Sequence, residues 1–227
     1  MMRVSLRETR MVLERLVQVA RVPEGMVSSV RDCALYSAAL ELGGFDRLLD
    51  NLELIKAADI SRIALKNETE LDAGGLHAWL VAELAVDLAV ASKRAGGVGK
   101  VRISNTLRAG ELGVAAGFSV LHGFAVEIDS RSGAHATVSL RAAAPTDAAL
   151  LEKIRRDGLP VAADLWWRLY HGSAAALAPD TILSRRHAGP IIVAEDGRVI
   201  GRQDDDETDF SLLTSDARSR TKSGLLG

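Results

Sequence analysis

"VGKVRISNTLRAGELGVAAGFSVLHGFAVEID", residues 98–129, decides the fold. Residues 98–104 alternate apolar and polar side chains, the period of a half-buried strand. Residues 109–121 are apolar with glycines at 110, 113 and 117 and read as a helix, and 123–129 read as the next strand. Strand, helix and strand in so short a span form a βαβ unit, whose crossover is expected to be right-handed. "AHATVSLRAAA", 134–144, adds a further strand. The class this predicts is α/β: a helical N-terminal unit followed by a mixed β-sheet with flanking helices.

Upstream, the first 60 or so residues read as helical. Ser5 with Glu8 three residues on forms a capping box, and Leu13, Leu16, Val17 and Ala20 follow at helical spacing. Pro23 suits the first turn of a second helix, Gly43-Gly44 its end, and "FDRLLDNLELIKAA" (45–58) a third. Residues 76–97 predict one long helix, with Leu76, Leu80, Leu84, Leu88 and Ala91 along its buried face and Glu83 and Asp87 on a polar stripe. Downstream, 147–158 and 163–177 read as helices, and "PIIVAEDGRVIGR" (190–202) as a hairpin around Asp196-Gly197. The acidic segment 203–209 and the tail from about Ser215 read as polar and mobile. The division expected from these shifts is a helical unit over 1–66, an α/β domain over 67–214 and a tail over 215–227.

Bulk composition narrows the function. Of 227 residues, 48% are hydrophobic and 26% charged, as a soluble core-forming chain requires. A net charge of −2 gives no basic field for nucleic acid, and the interspersed charges favour no membrane surface. No apolar run reaches the roughly 20 residues of a membrane span, and the polar start "MMRVSLRETR" does not read as a signal core. Cys33 is the single cysteine, so no internal disulfide forms; a buried structural thiol and a cytoplasmic compartment are expected.

Candidate chemistry concentrates on residues 104–117. Ser104, Asn105 and Thr106 fall at the carboxyl end of a strand, where open α/β sheets bind ligands. Gly110, Gly113 and Gly117 leave one helix face smooth, for close packing or for a ligand, and the helix start can hold a carboxylate or phosphate. "AGGVGK" (95–100) precedes a strand instead of following one, the wrong order for a phosphate loop. The five histidines show no metal-ligand spacing, so no metal is expected. His77 reads as a surface or capping residue, His122 as a helix end, and His187, beside Arg185 and Arg186, as a solvated loop or an anion knot. Trp166, Trp167 and Tyr170 read as a core cluster, with a stacking shelf as the alternative. No nucleophile elbow or triad is legible.

Residues 71–129, from "LDAGGLHAWLVAELAVDLAV" through the stretch quoted above, resemble the malate/L-lactate dehydrogenase family that lacks a Rossmann fold. The opening helices, "VSLRETRMVLERLVQVARVPEGMVSSVRDCALYSAALELGG", are similar in order and length, so the likeness spans about residues 4–130. The resemblance implies a mixed α/β fold, a homodimer with sites near its interface, NAD or NADP, and a 2-hydroxy or 2-oxo acid. It also implies a histidine acid/base in a strand-end Asn-Ser-Asn-His motif. Here the motif reads Ser104-Asn105-Thr106, with Thr106 at the histidine position. The family's Ser-His-Gly is replaced by "ELGGFDRLLDN", its Gly-Thr-Asn-Pro segment has no counterpart, and the chain is shorter than such enzymes. "ILSRRHAG" (182–189) and the acidic segment after it are similar to a bacterial family of shortened relatives.

Three readings follow. The first is a degenerate dehydrogenase-like protein that binds a small molecule or a partner enzyme without the standard chemistry, its ligand expected at Ser104, Asn105, Thr106, Gly110 and Gly113. The alternative is an NAD(P)-dependent oxidoreductase of small 2-oxo, imino or 2-hydroxy acids, using His122 or His187 as acid/base. The third is a structural oligomer packed through the glycine-faced helix.

Overall fold

The computed structural model describes residues 1–56, 58–143, 149–177, 191–193 and 199–201. Met1–Leu177 form one compact unit and Ala178–Gly227 another. In the second, β8 (Ile191–Val193) and β9 (Val199–Gly201) pair antiparallel, the arms of the expected hairpin. The turn itself, His187 and the acidic segment lie outside the described residues.

The first unit is α/β. β1 (Met2–Val4) leads into α1 (Leu6–Val19), α2 (Val27–Ala39) and α3 (Asp46–Ile55). Ser5 caps α1 as its spacing requires: the Glu8 amide donates to Ser5 Oγ at 3.2 Å, and Ser5 Oγ donates to the Glu8 carboxylate at 3.0 Å. Such a cap is worth about 0.5–2 kcal/mol. α1 buries Val12, Leu13, Leu16 and Val17 against α2, whose Cys33 is fully buried. Burial pushes the Cys33 thiol well above its usual pKa and leaves it unreactive.

The sheet follows. β2 (Ala64–Asn67), β3 (Glu70–Asp72), β4 (Lys100–Ser104), β5 (Phe124–Ser132) and β6 (His135–Ala142) stand in the order β2-β3-β4-β6-β5. β3 and β4 are parallel; the other pairs are antiparallel. The expected strand–helix–strand crossover is present, but its two strands are not neighbours. β4 and β5 do run the same way, but β6 lies between them, because the tight β5–β6 turn at Gly133 returns the chain into that slot.

α4 (Ala82–Arg94) packs on β4 and β6, and α5 (Ala149–Asp157), β7 (Leu159–Val161) and α6 (Ala163–Ser173) complete the unit. β7 pairs with β1 and ties the two ends of the unit together, a pairing that three-residue strands do not announce. Gly158 makes it possible: its φ is +67°, and a Cβ there would meet the Val4 carbonyl oxygen at 2.7 Å.

Three further expectations change. The helix over 76–97 is broken: Ala78–Leu80 form a 3-10 turn, Val81 departs from helical ψ, and α4 starts at Ala82. Its buried face is Ala82, Ala85, Val86, Ala89 and Val90, while Leu84 is 43% exposed. Small side chains let the helix lie close on the sheet, and apolar residues on both sides of the Glu83–Asp87 stripe leave periodicity unable to choose the face. Ala109–Leu121 is a 3-10 helix throughout. With three residues per turn, Gly110 and Gly113 share a face that Gly117 leaves. Finally, Trp166 is core, but Trp167 and Tyr170 are 49% and 41% exposed and pack edge to face on each other. Leu165, Trp166 and Leu169 take the inner face of α6. Among the described residues no helix is long and apolar enough to cross a membrane.

Candidate functional site

The parallel pair β3 and β4 does not stop at its last strand residues. Beyond Asp72 and Ser104 the two segments continue side by side: Ala73 N–H donates to Ser104 O at 2.9 Å, and Gly75 N–H to Asn105 O at 2.7 Å. Leu107 N–H then donates to Leu76 O, and Ala78 N–H to Leu107 O. The extension brings His77 and Arg108 together past the carboxyl ends of two parallel strands, where sheets of this kind bind ligands.

His77 caps the 3-10 turn, as expected of a capping residue, but it is not at the surface: it is 0% exposed. The Trp79 amide donates to His77 Nδ1 at 3.2 Å, which assigns the ring proton to Nε2. Among the described residues Nε2 has no hydrogen-bond partner; it lies 3.6 Å from Glu111 Oε2. Burial, with the nearby Arg108 charge, holds the His77 pKa down at about 4, so the ring is neutral near pH 7.

Glu111 is the hub. Asn51 Nδ2 donates to its Oε2 at 2.5 Å, Arg108 Nη1 lies 3.3 Å from its Oε1, and Arg47 Nη1 lies 3.9 Å away. The ring closes through Asn51, whose Oδ1 accepts from Arg108 Nη1 at 2.6 Å and which is itself fully buried. Arg108 holds φ +56°, a left-handed conformation costing a non-glycine residue about 1–2 kcal/mol. Such strain persists where surrounding contacts over-determine it; here Asn51 and Glu111 supply them.

Beside this ring is a cavity of about 300 Å³. Arg47, Arg108, Glu111, Ser37 and Trp79 give it polar groups; Leu42, Gly110 and Val114 complete the wall. The Ser37 hydroxyl is committed to the carbonyls of Leu42 and Gly44, and the buried Trp79 indole Nε1 has no partner among the described residues. The two arginines are a donor set for an oxyanion.

Of the residues expected to bind a ligand, Gly110 lines this cavity and Gly113 backs Leu42 of its wall. Ser104, Asn105 and Thr106 do not line it. The Asn105 side chain donates to Asp72 Oδ1 at 3.2 Å in an exposed cluster, where Lys66 and the Gly74 amide hold the Asp72 carboxyl low, at about 2. Thr106 is 4% exposed, its amide donating to Ala134 O under the β5–β6 turn. His122 stands elsewhere, 3.0 Å from Asp87 of α4. His187 lies outside the described residues. Among the described residues no group of three or more His, Cys, Asp or Glu is placed to hold a metal ion.

Sequence reasoning missed Arg47, Asn51, His77, Trp79, Arg108 and Glu111 as a group. Two local signals were present: Arg108 and Glu111 are three apart at the start of the 3-10 run, and Arg47 and Asn51 are four apart on α3.

Comparison with known proteins adds little. No family model matches the chain, and no curated protein matches it. Among solved structures it is similar to malate dehydrogenase from Entamoeba histolytica, at 14% identity and a TM-score of 0.45. The match covers 75% of this chain and 62% of that one. A likeness of that depth carries no chemistry from one chain to the other.

Proposed function

We propose that this chain binds a small acid at Arg47 and Arg108, without the standard hydride-transfer chemistry of the dehydrogenases its sequence resembles. The observation that carries the reading is the cavity: about 300 Å³, lined by Arg47 and Arg108. That volume is at the floor of the roughly 300–1,000 Å³ of small-molecule sites. It suits a short acid and is too small for a nicotinamide dinucleotide.

The missing acid/base supports the same reading. Thr106, at the position where the resemblance calls for histidine, is buried away from the cavity. His77 is close to the cavity, but its Nδ1 is occupied by the Trp79 amide and its low pKa leaves little imidazolium near neutrality. His122 is held by Asp87 outside it.

Calorimetric titration of the full chain with lactate, pyruvate and malate tests the proposal, with NAD, NADH, NADP and NADPH in parallel melting assays. At least one acid should bind, and Arg47→Ala or Arg108→Ala should weaken it about 10- to 100-fold, the value of one charged hydrogen bond. A folded chain that binds no acid, or that oxidises or reduces a nicotinamide cofactor with one of them, overturns the reading. Light scattering on the same samples checks the homodimer that the resemblance implies.

A further inference from the structure

We propose that Glu111 makes this cavity selective for singly charged acids that also carry a hydrogen-bond donor, and rejects doubly charged ones. The inference rests on the acid-binding reading above and adds the charge class of the ligand.

The charges that line the cavity are Arg47, Arg108 and Glu111. α3 supplies Arg47 and neutral Asn51. The segment 76–80 supplies Trp79 and His77, a neutral ring whose Nδ1 accepts an amide proton. The 3-10 run and the residue before it supply Arg108 and Glu111; the end of α2 and the loop after it supply Ser37 and Leu42. Two positive charges and one negative charge leave a single net positive charge for the ligand.

The distances say which charge is free. Arg108 is bound into the Asn51–Glu111 ring at 2.6 and 3.3 Å. Arg47 stands 3.9 Å from Glu111 with its side chain 45% exposed, so it can turn to an incoming carboxylate. Glu111 then faces the rest of the ligand. An ionised carboxylate accepts hydrogen bonds and cannot donate them. A hydroxyl or ammonium group is welcome beside it; a second carboxylate meets a like charge in a partly dehydrated site, which disfavours it strongly.

Calorimetric titration at pH 7.5 with lactate, propionate, malate and inorganic phosphate decides the matter. Lactate and malate share the 2-hydroxy acid group and differ in the second carboxylate; propionate lacks the donor. Lactate should bind at least about tenfold tighter than malate, propionate or phosphate. Glu111→Gln should erase most of the lactate-over-malate preference by strengthening malate, while Glu111→Asp, which keeps the charge, should retain it. Melting curves confirm that each variant is folded. Equal binding of lactate and malate by the unmodified chain, or a preference unchanged in Glu111→Gln, overturns the selectivity and leaves acid binding standing. A folded chain that binds none of the acids overturns both.

Discussion

Replacing His77 by Asn should remove a pH dependence of stability that the buried ring imposes. The Asn side-chain oxygen can accept the Trp79 amide proton, so the cap of the 3-10 turn survives while the titrating group goes. In the unfolded chain the ring titrates at 6.5; in the fold it titrates at about 4, because burial and the Arg108 charge oppose protonation. Glu111 faces Nε2 at 3.6 Å, but Arg108, Arg47 and Asn51 already engage its carboxylate. Between those two pKa values the unfolded chain holds more protons than the folded one, so stability falls as pH falls. The contribution is complete above about pH 6.5. It is reduced by about 2 kcal/mol at pH 5, and by about 3 kcal/mol once pH reaches the folded pKa. Urea unfolding at pH 7.5 and 5.0 measures it, followed by tryptophan fluorescence. The parent chain should lose about 2 kcal/mol more than His77→Asn across that interval, carboxylate titration being common to both and cancelling. Equal losses in the two chains would refute the reasoning. So would an NMR titration placing the His77 pKa at or above 6.5.

The other expectations are simpler to measure. Gly117→Ala drives a methyl group into the Tyr36 ring, which is buried and edge-on to Phe118 at 5.0 Å, and should cost about 1–3 kcal/mol in urea unfolding. Gly110→Ala, with nothing within 4 Å of the new methyl, should be neutral or stabilising by up to about 1 kcal/mol; equal costs at the two positions would contradict the packing described. Thr106→His restores the residue the resemblance calls for, but at a 4% exposed position under a hairpin turn. It should lose about 1–3 kcal/mol and gain no nicotinamide-linked turnover, and an active variant would show that the position does reach the site. Trp79→Phe shrinks a fully buried ring beside the cavity and should cost about 1–3 kcal/mol in urea unfolding; an unchanged stability would contradict the packing described.

What the sequence disclosed, and what it hid, divides by the range of the interactions. The Ser5–Glu8 cap, the three N-terminal helices and strands β4, β5 and β6 are set by side chains a few residues apart, and local period is enough to place them. The position of β6 between β4 and β5 depends on which edge a hairpin returns to, and no local pattern encodes that. The cavity is the extreme case. Asn51 meets Arg108 and Glu111 across 57 and 60 residues of chain, and His77 reaches Glu111 only because the β3 and β4 ladders continue past their strands. The turn at 104–113 runs from the end of β4 to the cavity wall. Its polar groups divide there. Asn105 and Arg108 both hold left-handed φ, +54° and +56°, on either side of Thr106 and Leu107. Asn105 is given to an exposed cluster with Asp72, Thr106 to the β5–β6 turn, and Arg108 to the cavity. The arginine and the glutamate three residues on therefore line the cavity, and under the proposed acid-binding function a threonine where an acid/base is expected costs this site nothing.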